Sequence, residues 1–177
     1  MTNRGYRPPT RSGARIMPTY EELASCFSGP ELALIEDSAW VDEFGNRHDG
    51  LVSTIGWVSH VEKLDKDRAL PMTDRTIWTE HDLAAALFIR DFLARALDKL
   101  PSAIAQRLSP FAEEADARFQ GFTIQDSGAR MATVAGVDLS GRGWWWYRVP
   151  ADGPVAVFLS RYKSPSESQQ RSEEHGS

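Results

Sequence analysis

Residues 79–100 read TEHDLAAALFIRDFLARALDKL, and this stretch has the clearest secondary-structure pattern in the chain. Its large apolar side chains recur every three or four positions, the spacing of one face of an α-helix: Leu83, Leu87, Phe88, Phe92, Leu93, Leu97 and Leu100. Thr79 is the predicted N-cap, with Asp82 at the third helical position, and Pro101 ends the helix. We expect the apolar face of this helix to form the centre of the hydrophobic core, with Leu87 and Phe92 buried.

Upstream of this stretch the sequence also favours helices. Thr19 and Glu22 have the spacing of a capping box and predict a short first helix. A second helix is predicted from Pro30 to Phe44, with a strand over 39–44 as the alternative. From residue 51 to residue 64 the apolar side chains again recur at three or four positions, which predicts a third helix.

Downstream, the pattern changes from helical to strand-like. Two shorter helices are predicted after Pro101, one through Ile104 and Leu108 and one from Ser109 to about Arg118. Four runs with β character and intervening glycine-containing turns follow: residues 122–124, 131–137, 144–149 and 155–159. The predicted fold class is therefore α+β, with a helical part over 19–118 packed on a four-stranded antiparallel meander over 119–162.

Residues 143–147 read GWWWY, the most unusual segment of the chain. Successive side chains of a strand point to opposite faces, so Trp145 and Tyr147 are expected to face the helices. Three side chains would share the open face, where indole rings and a guanidinium bind a flat or anionic ligand: Trp144, Trp146 and Arg148. Single-strand nucleic-acid platforms use this combination. The alternative is that other elements cover both faces and all the tryptophans are core residues.

The net charge of −5 is unevenly distributed. Residues 21–49, here called the acidic segment, contain eight carboxylates and one arginine. Two adjacent pairs in it, Glu36-Asp37 and Asp42-Glu43, are the candidate residues for binding a basic protein, because clustered carboxylates attract and hold a cationic partner. A solvated helical face is the structural alternative.

Both ends of the chain differ from its body. Residues 1–16 contain four arginines, no acid and Pro8-Pro9, and they predict a disordered basic arm whose contact with nucleic acid would be weak and salt-sensitive. Residues 163–177 are rich in Ser, Gln and Glu and predict a disordered tail. A single folded domain is therefore expected over 17–162.

Several classes of protein are excluded or disfavoured by what the sequence lacks. The single cysteine, Cys26, and a polar start without an apolar leader favour a cytoplasmic protein, and no apolar run is long enough for a membrane span. No hydrolase, nucleotide-binding or zinc-finger motif occurs, and the spacing of the four histidines matches no metal site, so neither a metal nor a cofactor is expected.

These observations favour a non-catalytic, cytoplasmic binding protein that engages a basic protein through its acidic segment. Small acidic proteins that neutralise basic nuclease toxins, and acidic adaptors, use the same electrostatics, which is an analogy of charge and not of sequence motif. The alternative is a module that binds a ligand or single-stranded nucleic acid through the aromatic and arginine face. An enzyme without a recognisable motif is the third hypothesis.

Overall fold

The computed structural model describes residues 18–42 and 44–162. The predicted basic arm 1–16, the predicted tail 163–177 and Glu43 lie outside the described residues. The described part contains seven α-helices: α1 Tyr20–Ala24, α2 Gly29–Asp37, α3 Gly50–Asp67, α4 Glu80–Lys99, α5 Ser102–Phe122, α6 Ala129–Ala135 and α7 Gly153–Leu159. It also contains a 3-10 helix, Trp144–Tyr147, and four short strands: β1 Trp40–Val41, β2 Arg47–His48, β3 Thr123–Gln125 and β4 Arg148–Pro150.

The three long helices α3, α4 and α5 form the centre of the molecule, as the pattern of residues 79–100 predicted for α4. Thr79 forms a capping box with Asp82, and Leu87 is fully buried. Phe92 is only partly buried, because it lies where α4 meets the β1–β2 hairpin. The main core is made of the inward faces of these helices together with α6, the 3-10 helix, β4 and α7.

A second, smaller hydrophobic cluster joins the acidic segment to the same bundle. Leu23 and Phe27 of the first turns and Ile35 of α2 pack against side chains from the start of α3, the end of α4 and the start of α5: Leu51, Leu100, Ile104 and Leu108. At Gly50 an added Cβ would lie 2.8 Å from a Leu100 methyl carbon, so a larger residue there would require the Leu100 side chain to shift. The acidic segment is therefore packed onto one end of the three-helix bundle.

The predicted four-stranded meander and the α+β class are wrong. The described chain is mostly helical and contains two separate two-stranded antiparallel sheets. In one, Trp40 pairs with His48 and Val41 with Arg47; in the other, β3 pairs with β4. Of the four runs with β character, only the first and the end of the third contribute strands, as β3 and β4.

Local end signals explain why two of the predicted strands are helices. Residues 131–137 lie mostly within α6, which is bounded by Gly128 and Gly136, both with left-handed backbone conformations that favour glycine. Residues 155–159 belong to α7, where Pro154 occupies the first turn. Short apolar runs have no periodicity that separates a strand from a buried helix, so the capping residues decide the outcome.

The two short helices predicted between 102 and 118 are one continuous helix, α5, with Pro110 inside it. Ser109 donates its hydroxyl to the Ala105 carbonyl at 2.9 Å, one turn back along this part of the helix. The buried side chains on both sides of Pro110 continue along one face, so tertiary packing maintains the helix through a residue that disfavours it.

The capping box of α2 makes the stability of the fold dependent on pH. Arg107, the Ser28 amide and the Ser28 hydroxyl all donate to the carboxylate of Glu31, and with Arg107 as the largest cause they lower its pKa to about 2. Because the pKa of Glu31 is lower in the folded state than its ordinary value of 4.5, its ionised carboxylate stabilises the fold at pH values above 4.5. This contribution is lost as the pH falls from 4.5 towards 2.

We therefore expect Glu31→Gln to be less stable than the wild type at neutral pH, with the difference shrinking as the pH falls from about 4.5 to about 2. The amide side chain of the variant keeps an acceptor oxygen for Ser28, so the difference in stability between the two proteins measures the effect of the negative charge. Urea unfolding of both proteins at a series of pH values measures the difference. A difference that stays constant across this range would contradict the assignment.

Candidate functional site

Glu36 and Asp37 lie in the last turn of α2, and both are exposed. The guanidinium of Arg47 donates to the Glu36 carbonyl at 2.8 Å and lies 3.4 Å from its carboxylate, so it joins the end of α2 to the hairpin. The carboxylate of Asp37 has no cation within ion-pair distance among the described residues. Of the predicted pair Glu36-Asp37, only Asp37 therefore has a charge that no described cation neutralises.

Asp42 stabilises the turn between β1 and β2. Its carboxylate accepts hydrogen bonds from the amides of Phe44 and Asn46 at 2.9 and 2.8 Å and from the Asn46 side chain at 3.0 Å. The Nε2 atom of His48 lies 2.9 Å from Oδ2, the oxygen that also accepts the Asn46 side chain, and these contacts, with His48 first, hold the Asp42 pKa well below its usual range. Its predicted partner Glu43 lies outside the described residues.

The hairpin is attached to the last turns of α4 by aromatic and cationic contacts. The ring of His48 lies 4.1 Å from that of Phe92 and 5.3 Å from that of Trp40. The guanidinium of Arg95 lies 4.7 Å from the centre of the Trp40 ring, and the ammonium of Lys99 lies 5.5 Å from it. The paired residues Trp40 and His48 therefore face the bundle.

The opposite face of the hairpin exposes apolar side chains that the sequence analysis did not single out. Val41 is 63% exposed and Phe44 is 82% exposed, and Leu34 on α2 is 47% exposed. The sequence analysis placed all three in the predicted second helix, or Val41 and Phe44 in the alternative strand, and neither pattern indicated that they would be exposed. The acidic segment thus presents both uncompensated carboxylates and apolar groups to solvent.

The tryptophan-rich segment forms a 3-10 helix, so the predicted alternation of a strand does not apply. Trp146 is fully buried and Trp145 is 8% exposed. Both indole nitrogens donate to the carboxylate of Asp91 on α4, at 2.8 Å from Trp145 and 3.0 Å from Trp146. Arg142 also donates to Asp91 at 2.5 Å, and its guanidinium lies 4.8 Å from the Trp146 ring centre. This cluster fastens the segment to α4.

A second buried polar cluster lies one residue away on the same helix. Arg90 forms a two-pronged ion pair with Asp116 of α5, at 2.8 and 2.7 Å, and Asp116 also accepts the indole N–H of Trp57 of α3 at 2.8 Å. The Arg90 guanidinium lies 4.2 Å from the centre of the Trp145 ring. These groups satisfy one another and connect the three long helices.

The predicted ligand-binding face of Trp144, Trp146 and Arg148 is not an open sheet face. Trp144 is 37% exposed, whereas Trp146 is enclosed between α4 and its neighbours. Arg148 donates to the Thr123 hydroxyl at 2.8 Å and to the Thr123 carbonyl at 2.6 Å. The structure therefore separates the three side chains, and ligand binding by them stays a prediction without geometric support.

No constellation typical of catalysis occurs among the described residues. Burial lowers the pKa of His60, whose Nδ1 donates to the Gly56 carbonyl at 2.7 Å and whose ring packs on Trp78 at 4.9 Å. A shallow depression of about 320 Å³ beside α6 is lined by Gly128, Asp138, Ser140 and Tyr147 among others. In residues 18–42 and 44–162, no group of three His, Cys, Asp or Glu side chains has the arrangement to hold a metal ion.

No helix of the described ranges combines the length and apolar character needed to cross a membrane. Comparison with known proteins gives no match: no family model fits the chain, and neither a curated protein nor a solved structure is significantly similar to it. Function must therefore be inferred from the chemistry of the chain's own residues.

Proposed function

We propose that this chain is a non-catalytic binding protein whose acidic segment docks a basic protein partner. The observation that carries the proposal is the set of exposed carboxylates on α1 and α2 that form no ion pair with any described cation: Glu21, Glu22 and Asp37. Glu22 also accepts the Thr19 amide at 2.9 Å in the capping box of α1, but no described cation neutralises any of these three charges.

The electrostatics of the segment favour association with a cationic surface. Exposed like charges close together build a negative potential that steers a basic partner during diffusional encounter. The potential acts over about 8–10 Å at physiological ionic strength, so it is effective when several carboxylates lie on one small surface. The apolar side chains of α1 and α2 pack at the same end of the bundle, so the two helices that bear these carboxylates lie at that end.

The paired carboxylates of the segment contribute less to this field. Glu31 is compensated by Arg107 at 2.5 Å. Glu36 lies 3.4 Å from Arg47, but its side chain is 71% exposed, so it retains access to a second cation. We therefore place the docking surface at Asp37 and Glu36 with Glu21 and Glu22, while Asp42 shapes the neighbouring turn and Glu43 remains a predicted contributor.

Charge reversal at Asp37 tests the proposal. Asp37→Lys is expected to slow association with a basic partner by roughly three- to tenfold at low salt and to flatten the salt dependence of the rate. The full-length chain is used as bait in a host extract at low salt and at about 0.5 M salt, where electrostatic attraction is screened. Proteins eluted by salt are identified, purified and measured individually by surface plasmon resonance.

Glu113→Lys is the matched control, because Glu113 is exposed on α5 outside the acidic segment and its reversal changes the net charge equally. The proposal predicts a basic protein that binds the wild type and Glu113→Lys alike and binds Asp37→Lys more slowly. Equal slowing by both variants would show a net-charge effect without a docking surface. Recovery of no basic protein that elutes with salt would also contradict the proposal.

A further inference from the structure

We infer that Phe44, at the tip of the β1–β2 hairpin, is the apolar anchor of this docking surface, and that the partner offers an apolar recess bordered by lysine or arginine side chains. The inference rests on the proposed function and adds the kind of contact by which the partner is held. Phe44 is 82% exposed, the largest exposed fraction among the exposed large apolar side chains of the described residues.

The cross-strand pairs of the hairpin show which of its faces meets the bundle. Trp40 and His48 form one cross-strand pair and face α4, where both rings contact Phe92. Val41, in the next cross-strand pair, points the other way and is 63% exposed. Phe44 lies beyond the strands, at the end of the hairpin away from the bundle. It therefore contributes little to the core.

The turn holds the backbone of Phe44 through hydrogen bonds that are already made in the free protein. Asp42 accepts the Phe44 amide at 2.9 Å with its side chain and the Gly45 amide at 3.1 Å with its carbonyl. Gly45 has a φ of +85°, a conformation that glycine adopts without strain. A side chain displayed on a preformed turn loses less conformational entropy when it binds than one on an unstructured loop.

The surroundings of Phe44 define the chemistry of the recess. Residues 36–49 contain five carboxylates and one arginine, and that arginine, Arg47, is paired with Glu36. Protein interfaces concentrate their binding energy on a few large side chains, with aromatic residues enriched at the centre and charged groups at the rim. An aromatic anchor within an acidic stretch of the chain therefore fits an apolar recess with a cationic rim.

Selection from a phage-displayed library of random peptides on the immobilised full-length chain provides defined probes. We expect the selected peptides to combine large apolar residues with lysine or arginine. The strongest is synthesised, and its affinity is measured by isothermal titration calorimetry for the wild type, Phe44→Ala and Asp37→Lys. Val157→Ala is the control for an exposed apolar residue, because Val157 is 47% exposed on α7. Glu113→Lys is the control for charge.

Phe44→Ala is expected to weaken binding by about 30-fold or more, as loss of an interface hot spot does, while Val157→Ala leaves it within about twofold. If Asp37→Lys weakens peptide binding but Phe44→Ala does not, Phe44 is not the anchor, although the proposed docking surface is still supported. If Phe44→Ala weakens peptide binding but Asp37→Lys does not, the inference that the partner is cationic is wrong. A selection that yields no specific binder, or binders insensitive to both changes, overturns the inference.

Discussion

Replacing Trp146 with alanine is expected to lower the free energy of unfolding by about 3–5 kcal/mol, the range for removal of a large core side chain. Trp146 is 0% exposed, its ring packs edge-on against Phe88 at 5.0 Å, and its indole nitrogen donates to Asp91. The variant loses the buried ring and leaves a cavity between α4 and the 3-10 helix. Guanidinium unfolding followed by far-ultraviolet circular dichroism measures the loss without depending on tryptophan emission.

Trp144→Ala is the matched control, because it removes the same side chain two residues earlier in the same short helix. Trp144 is 37% exposed, and a loss of about 1–2 kcal/mol is expected from its contacts with Phe119 and Trp145. A strand with alternating faces would place both side chains on the same face and would give similar losses. Equal losses for the two variants would therefore contradict the structure.

Removing the carboxylate of Asp116 is expected to destabilise the fold by about 3–5 kcal/mol, because Arg90 is then left largely buried without its counter-charge. The side chains of Arg90 and Asp116 are 11% and 14% exposed. Asp116→Ala also leaves the indole N–H of the fully buried Trp57 without its acceptor. Chemical denaturation at neutral pH provides the measurement.

Asp152→Ala is the control for an ion pair of similar geometry at the surface. Asp152 accepts two hydrogen bonds from Arg68, at 2.7 and 3.0 Å, but its side chain is 62% exposed. Water replaces the lost contacts there, so a much smaller loss of stability than for Asp116→Ala is expected. If the two aspartate variants were equally stable, the Arg90–Asp116 pair would have no special role in joining the helices.

The helices α3 and α4 were predictable because their evidence is local and extended, whereas α5 was predicted as two shorter helices. In α4 the apolar face repeats over the whole of residues 79–100, and Thr79 with Asp82 marks its start. The C-terminal third lacked such evidence. Its apolar runs are short, and residues 131–137 have the composition of a strand although most of them form α6. Runs of this length are stable only in the packed protein, where the covering surface selects the conformation.

The candidate site was predictable in charge but not in detail. The sequence showed that residues 21–49 are acidic, whereas only the folded chain separates Asp37, which has no described cation nearby, from Asp42, which organises a turn. Phe44 was predicted to end the second helix or the alternative strand, and neither prediction indicated its exposure. In the folded chain it lies in the turn between β1 and β2 and is 82% exposed.

The sequence by itself determined the amphipathic faces of α3 and α4 and the negative charge of the N-terminal third, because periodicity and composition do not depend on how the elements pack. Tertiary structure decided where the tryptophans lie and which charges remain free. The indole N–H groups of the buried Trp145 and Trp146 are satisfied by Asp91 of α4, more than 50 residues away in sequence, and Arg142 donates to the same carboxylate. Such pairings join residues far apart along the chain, so no local pattern contains them.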